Sequence, residues 1–201
     1  MRFNILFGVM FLIFVLGQFV NVSRSVLRGG QYEVRERNPV AMQIFRKSIG
    51  IVWFGVILIY TIRPEWISWA SFSLPIWIRW IAFGIWAMAM ALLWWVELSL
   101  GRNFNTTLHL REEHTLVTEG PYRYVRHPMY AAQIPLILAW LPASANWLVG
   151  LPGLIGGLVI FALRIPEEEK VMLERFGDEY RAYMDQTDRL LPRWWKQPPR
   201  S

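Results

Sequence analysis

The sequence has no cysteine, which excludes disulfide bonds, thiolate zinc sites and cysteine nucleophiles. Charge is also scarce: 18% of the 201 residues are charged and 54% are hydrophobic, with a mean hydropathy of +0.27. Histidine is rare too, and the spacing of His109 and His114 does not fit a metal site. We therefore expect no metal, interpret these two histidines as ordinary loop residues, and predict one transmembrane domain over residues 1–201.

The apolar residues are gathered into five long blocks separated by charged segments, a pattern typical of bilayer-spanning helices. The blocks cover residues 3–22, 49–62, 74–98, 129–141 and 147–163. They predict an all-α integral membrane protein with about five transmembrane helices and a cytoplasmic C-terminal helix. A signal peptide is the competing interpretation of the first block. Only Arg2 precedes it and no small-residue cleavage site follows, which favours a retained helix.

The last two blocks are separated only by the short segment 142–146, which predicts a tight turn and a helical hairpin. Gly153 and Gly157 have the GxxxG spacing of a close-packing helix face. Together with Gly150 and Gly156 they resemble a dinucleotide-binding loop. That interpretation fails because no strand precedes them and the segment lies within an apolar block.

Basic residues are distributed unevenly between the two sides of the predicted bundle. Segments 23–48, 101–128 and 164–201 hold six, four and eight Lys or Arg residues, and only Arg2, Arg63 and Arg79 remain of the total of 21. This asymmetry predicts that the three rich segments are cytoplasmic, with the N-terminus outside. It also accounts for the formal charge of +6 without nucleic acid as a partner. Tryptophans near predicted span ends are expected at the membrane interface: Trp66, Trp69, Trp94, Trp95, Trp194 and Trp195.

Two polar segments on the predicted cytoplasmic side can carry chemistry. Residues 119–130 read EGPYRYVRHPMY, and Pro128 suits the first turn of a helix, so that His127 would lie at a helix N-terminus. Residues 164–177 read RIPEEEKVMLERFG and follow the fifth block. Because the fourth and fifth helices form a hairpin, we expect the two segments to emerge side by side.

This combination would suit a zwitterionic amino-acid nucleoside. His127 and Arg126 could bind a carboxylate, the acidic residues could bind hydroxyls or an amine, and Tyr130 could contact a ring. A structural alternative stays open: His127 only caps its helix, and the three glutamates form an exposed first turn after Pro166. On these residues alone, the structural alternative has the stronger claim, because such short motifs discriminate poorly.

The whole series of motifs is more specific than either segment. GPYRYVRHPMY, an apolar hairpin, RIPEEE, FGDEYRAY and a closing LLP follow one another over residues 100–192. In order and spacing this region resembles the isoprenylcysteine carboxyl methyltransferase family, to which phospholipid N-methyltransferases are distantly related. The resemblance reverses the preference for a structural role. It departs from the family at Ala131 and Ala132, where relatives often have a glycine after the tyrosine.

The resemblance implies an S-adenosylmethionine pocket closed beneath the C-terminal helix. The cofactor-binding residues carried over are Gly120, Tyr122, Arg126, His127, Tyr130, Glu168 and Glu169. Arg164 corresponds to an arginine that engages the methyl-accepting group, and its structural alternative is an interfacial anchor or an ion pair with Glu168. The catalytic residues implied are Arg164 and Glu168, the latter as a base for an amine acceptor. Glu167 matches the family's glutamate pair less well.

The function implied is methyl transfer from S-adenosylmethionine to an amphiphilic acceptor at the cytoplasmic membrane face, including carboxyl O-methylation. The acceptor would be lipid-like or prenylated and would enter from the bilayer, with membrane lipids as the other partners. The sequence does not indicate an oligomeric state. Two alternatives are an NADPH-dependent membrane reductase of the sterol reductase type, which resembles the family around RHPMY, and a non-catalytic membrane scaffold.

Overall fold

The computed structural model describes residues 2–27, 40–100 and 116–192. His109, His114, Trp194 and Trp195 lie outside these residues. Within these ranges the α-helices follow in the order α1 (Phe3–Leu27), α2 (Val40–Ile62), α3 (Ile76–Leu100), α4 (Pro128–Ser144), α5 (Trp147–Phe176) and α6 (Asp178–Gln186). The described part of the chain also has 3₁₀ helices at Pro64–Ala70, before α3, and at Gly120–Arg123, before α4. Each predicted apolar block therefore lies largely within a helix.

Length decides which of these helices can cross a membrane. Among the described residues, Phe3–Arg24, Ile76–Ser99 and Trp147–Phe176 are long and apolar enough. A fourth span arises if Ser48–Ile62 and Pro64–Ala70, which meet at a bend of 111°, count as one. Helix α4 has only 17 residues, or about 25 Å at 1.5 Å per residue, less than the ~30 Å hydrocarbon thickness. The protein is an all-helical, multi-pass membrane protein with three to four candidate spans, and the fifth span stays a prediction.

An aromatic core joins the helices. The Trp140 ring of α4 lies 5.9 Å from Phe11 of α1, 5.1 Å from Trp53 of α2 and 6.0 Å from Trp86 of α3, measured between ring centroids. In a bilayer, apolar side chains gain little by leaving lipid, so close packing of this kind contributes much of the helix association. Large apolar side chains elsewhere on the helices are exposed, including Ile51 at 73% and Met88 at 68%, as expected of a lipid-facing surface.

The hairpin of α4 and α5 depends on glycine at the predicted close-packing face. A Cβ atom at Gly153 would lie 2.6 Å from the Trp140 ring, and one at Gly157 would lie 2.8 Å from Ile137. The predicted close-packing face is therefore confirmed. The predicted turn is wrong in extent, because α4 continues through Pro142 to Ser144. The turn consists of Ala145, in the left-handed conformation with φ of 50°, and Asn146.

A network of hydrogen bonds to backbone carbonyls holds this turn, and we call its residues Tyr60, Arg79, Ser144 and Asn146 the turn end. Arg79 Nη2 donates to the carbonyls of Ala143 (2.9 Å) and Ser144 (3.2 Å) at the C-terminus of α4. Its guanidinium also lies 4.0 Å from the centroid of the Phe3 ring. A cation at this position satisfies carbonyls that the helix leaves unpaired and complements the helix dipole.

Candidate functional site

The segment before α4 is shaped by Gly120 and Pro128. Gly120 has a φ of 59°, in the left-handed region that glycine adopts without a steric penalty, and it opens the 3₁₀ turn Gly120–Arg123. An ideal Cβ at Gly120 would lie 3.6 Å from Ser99 Oγ, so this turn contacts the last turn of α3. Pro128 begins α4, where its missing N–H costs no hydrogen bond. His127 is consequently placed at the N-cap, as predicted.

The His127 side chain does not cap the helix. It makes no capping hydrogen bond to the first turn of α4 and is only 8% exposed. Its Nε2 atom is buried and has no hydrogen-bond partner in the structure. The capping alternative is therefore wrong, because the imidazole turns towards α5 instead. A buried nitrogen without a partner, next to N–H groups that a helix leaves unpaired at its start, is a feature that a bound ligand can satisfy.

One predicted catalytic residue and two predicted cofactor-binding residues lie around the carboxylate of Glu168. Tyr130 Oη donates a hydrogen bond of 2.5 Å to Oε1, and Arg164 Nη2 lies 3.2 Å from the same oxygen. His127 Nδ1 lies 3.7 Å from Oε2. The ion pair considered as a structural alternative for Arg164 is thus present. The Arg164 and Glu168 side chains remain 38% and 25% exposed, so both can be reached from solvent or from the membrane face.

Glu169 has a different environment from Glu168. It is 4% exposed, and Arg126 Nε lies 3.1 Å from its Oε1 atom. Arg189 binds it with two donors, with Nη2 2.7 Å from Oε2, and His127 Nε2 lies 3.5 Å from Oε1. Hydrogen bonding to Glu169, and then its charge, raise the pKa of Arg189 above the usual value for a guanidinium.

The glutamates do not form an exposed first turn after Pro166. Helix α5 continues through Pro166 without interruption, Glu169 is buried and Glu168 is partly buried, so that alternative is wrong for the pair. Only Glu167 is exposed, in agreement with its weaker match to the family.

Residues 187–189, which we call the C-terminal strap, hold the segment before α4 in place. The N–H groups of Arg126 and His127 donate to the carbonyls of Asp188 (2.8 Å) and Arg189 (2.9 Å). Arg126 Nη1 also donates to the carbonyls of Met184, at 3.0 Å, and Thr187. These contacts run from Arg126 to the protein itself, so its predicted contact with a cofactor stays a prediction. Neither the strap nor Arg189 is among the site residues predicted from the sequence.

Tyrosine side chains connect α6 to the same segment. Tyr183 Oη donates to the Tyr122 carbonyl at 2.6 Å. Burial raises the pKa of Tyr122, and the neighbouring hydroxyl of Tyr183 and the charge of Glu168 raise it further. Burial and the charge of Glu169 raise the pKa of Tyr180 to about 12. These phenols stay protonated at neutral pH, so they can donate hydrogen bonds at the site but cannot act there as anions.

A second buried carboxylate lies near the site on the α3 side. Glu97 is 4% exposed and accepts hydrogen bonds from Gln18 Nε2 (3.0 Å) and Asn21 Nδ2 of α1. Its charge is among the smaller influences that raise the pKa of Tyr122. Glu97 was also not predicted from the sequence, because an isolated acid in an apolar block carries no motif. A buried acid in such a helix is often functional.

The structure therefore brings most of the predicted site residues together in two neighbouring groups. His127, Tyr130 and Arg164 surround Glu168, whereas Arg126 binds Glu169 together with Arg189. Tyr122 is within electrostatic reach of Glu168 and Tyr130, and Gly120 lies at the α3 side. Within the described ranges, no cluster of three or more His, Cys, Asp or Glu residues could hold a metal ion.

Comparison with known proteins shows which family the chain resembles. The family model for the isoprenylcysteine carboxyl methyltransferase family matches residues 80–174. Protein-S-isoprenylcysteine O-methyltransferase B of Arabidopsis thaliana is 33% identical over 101 residues, covering 47% of this chain and 49% of the plant protein. The Dictyostelium discoideum methyltransferase of the same description is 28% identical over 128 residues, covering 53% and 52%. Over slightly less than half of its length, the chain is thus similar to the isoprenylcysteine carboxyl methyltransferase family.

The fold agrees with this similarity. A solved structure of the eukaryotic intramembrane Ras methyltransferase of this family matches with a TM-score of 0.53 and 23% identity, covering 80% of this chain and 55% of the other. The chain spans about half the length of the plant and slime-mould relatives it matches. The family match includes α4 and the charged end of α5 but ends before α6, so Arg189 lies outside it.

Proposed function

We propose that this chain is a member of the isoprenylcysteine carboxyl methyltransferase family and uses S-adenosylmethionine to methylate the carboxylate of an amphiphilic acceptor. The observation that carries the proposal is the buried, unpartnered Nε2 of His127 beside the charged cluster of Tyr130, Arg164 and Glu168. This cluster lies inside the region that matches the methyltransferase family. Neither a scaffold nor a purely structural helix cap calls for a buried polar nitrogen without a partner.

The residues present fit an amino-acid nucleoside with a sulfonium centre. The start of α4 and His127 would bind its carboxylate, because helix N-termini favour anions. Glu168, which is partly exposed, would face its positive charge, and Tyr122 would lie beside it as a neutral donor. Gly120 would support this pocket by its left-handed conformation. The ion pair between Arg126 and Glu169 would support it by fixing the backbone that carries His127.

S-adenosylmethionine, when bound, would supply an electrophilic methyl group: an O–CH3 bond to an ionised carboxylate would form as the S–CH3 bond breaks, which gives a methyl ester and a neutral thioether as the leaving group. The protein's part is then alignment and exclusion of water. Arg164 would hold the acceptor carboxylate with hydrogen bonds from its planar guanidinium and leave one oxygen lone pair facing the methyl group. For an amine acceptor, Glu168 would instead have to accept a proton.

The position of Arg164 favours an acceptor that comes from the membrane. It directly follows Leu163, which is 64% exposed at the end of the apolar part of α5. An amphiphile could keep its tail in lipid and present its carboxylate to Arg164. The names of the plant relatives specify S-isoprenylcysteine, and we propose a prenylated or lipid-like acid of this class as the acceptor. The asymmetry of basic residues supports a cytoplasmic location for the site.

The test uses purified protein, S-adenosylmethionine with a radiolabelled methyl group, and an S-farnesylated cysteine derivative with a free carboxylate. The matched control acceptor carries a carboxamide in the same place. We expect label in the acid and none in the amide, and its release as methanol in mild alkali, because esters hydrolyse there. Alkali-stable label would indicate amine or thiol methylation instead. No transfer to this acid or to a lipid extract, together with NADPH-dependent reduction of a sterol, would favour the reductase.

A further inference from the structure

The strongest feature that the proposed function leaves unused is Arg189 of the C-terminal strap. Its side chain is 55% exposed, yet it directs Nε and Nη2 at a carboxylate that is only 5% exposed. Long exposed arginines usually gain little from a surface ion pair. Here one partner is buried, so the pairing neutralises a charge that would otherwise be costly to keep inside the protein.

The two oxygens of Glu169 have different surroundings. Arg189 supplies hydrogen bonds of 3.0 and 2.7 Å to Oε2, whereas Oε1 receives Arg126 Nε at 3.1 Å. His127 Nε2 is 3.5 Å from Oε1, a longer contact than any that the two arginines make. The carboxylate is therefore held by the two arginines in an orientation that leaves the neighbouring imidazole nitrogen unsatisfied.

Removal of the Arg189 side chain would leave Oε2 of Glu169 without its two hydrogen-bond donors. A buried carboxylate oxygen that loses its donors turns to the nearest group that can supply a hydrogen, because an unsatisfied buried charge is expensive. His127 Nε2 is the unpartnered polar atom next to Glu169. The imidazole would then be occupied by the protein's own glutamate instead of being available to a ligand.

We propose that Arg189 is a positioning residue: by holding the Glu169 carboxylate, it keeps Nε2 of His127 free to contact the cofactor. The proposal rests on the proposed function, since it assumes that His127 binds S-adenosylmethionine. This positioning role differs from the structural role of the C-terminal strap. The structural role depends on backbone carbonyls that accept hydrogen bonds from the N–H groups of Arg126 and His127, and a side-chain substitution does not remove those carbonyls.

The experiment measures S-adenosylmethionine affinity by calorimetry, and thermal unfolding without ligand, for Arg189→Gln, Glu169→Gln and the double variant. We expect Arg189→Gln to weaken binding about tenfold or more, as for loss of a charge-assisted hydrogen bond. In the Glu169→Gln background, Arg189→Gln should have no further effect, because the charge that it restrains is gone. The control is Arg181→Gln on α6, an exposed arginine paired with exposed Asp178, which should leave the affinity unchanged.

The outcomes separate this proposal from the proposed function. Wild-type protein that does not bind S-adenosylmethionine contradicts both. Wild-type binding with unchanged affinity in folded Arg189→Gln contradicts the positioning role alone, as do equal, additive losses in both backgrounds. If Arg189→Gln does not fold, Arg189→Lys replaces it. Lysine keeps the charge but not the two-pronged contact, so wild-type affinity in that variant would also overturn the proposal.

Discussion

The two ends of the helix bundle use arginine in different ways. At the turn end, Arg79 donates to the carbonyls of Ala143 and Ser144, which α4 leaves unpaired at its C-terminus. Around Glu168 and Glu169, at what we call the site end, Arg164 and Arg189 bind carboxylates on side chains. The carbonyls at the turn end are buried within the bundle and are bonded by Tyr60 as well as Arg79, whereas the carboxylate of Glu168 is partly exposed and can exchange its partner for a ligand. The proposed function therefore assigns stability to the turn end and binding to the site end.

Polar groups at the two ends differ in the same way. Asn146 is fully buried, accepts hydrogen bonds from Leu148 N and Val149 N, and donates to the Ile67 carbonyl and Ser71 Oγ. His127 is buried with one nitrogen unsatisfied. A satisfied buried network contributes to stability, and an unsatisfied buried group beside a charged cluster is a place that a ligand can complete.

The largest effect is expected for Arg164. Arg164→Ala should lower turnover about a hundredfold or more, the range for loss of a group that orients the reacting atoms, while S-adenosylmethionine affinity stays nearly unchanged. Arg164→Lys should rescue little, since a point charge does not reproduce the planar pair of donors. Single-turnover methyl transfer and calorimetry measure the two quantities. Full activity of the lysine variant would remove Arg164 from the mechanism.

Next come His127 and Glu168. His127→Ala and Glu168→Gln should each weaken S-adenosylmethionine binding by about 1–3 kcal/mol, the range for a buried or charged hydrogen bond. Unfolding of the ligand-free protein should change little. Glu167→Gln is the matched control on the exposed side of α5 and should bind normally. If the His127 and Glu168 variants bound normally but unfolded earlier, the site end would be structural like the turn end.

At Asn146 of the turn end we expect the opposite result, a loss of stability without a loss of binding. Asn146→Ala removes the N-cap of α5 and should lower the free energy of unfolding by about 1–2 kcal/mol, with unchanged cofactor affinity in the folded protein. Asn146→Asp keeps the capping oxygen but loses the hydrogen bonds that Asn146 Nδ2 donates to Ile67 and Ser71. The stability of this variant should therefore lie between those of the wild type and Asn146→Ala. Thermal unfolding in detergent measures both variants. A loss of affinity without a loss of stability would erase the distinction between the two ends.

The smallest perturbation tests whether the two ends face opposite sides of the membrane. Since the chain has no cysteine, single cysteines can be introduced at Ser68, exposed beside the turn end, and at Glu174, exposed beyond the site end. Ser144 is unsuitable because it is only 3% exposed. An impermeant thiol reagent should label the first position in intact cells and the second only after permeabilisation. The opposite pattern would place the site outside.

The sequence predicts the local features of this molecule well. Apolar blocks locate the helices, and RHP before an apolar block places His127 at the start of α4. What it does not predict depends on contacts between distant residues, such as Arg189 with Glu169 and Glu97 with Gln18, or on the route of the helix through Pro166. Proline normally interrupts a helix, but neighbouring helices and flanking groups tolerate it in membrane proteins.

Calorimetric titration of the wild-type protein with S-adenosylmethionine, with NADPH titrated separately, tests the central claim most directly. If the site end is a methyl-donor pocket completed by its ligand, S-adenosylmethionine binds saturably to one site per chain. Asn146→Ala should bind equally well, His127→Ala should bind more weakly, and NADPH should give no binding heat. Saturable binding of NADPH instead of S-adenosylmethionine, or S-adenosylmethionine binding that His127→Ala leaves unchanged, would contradict the account.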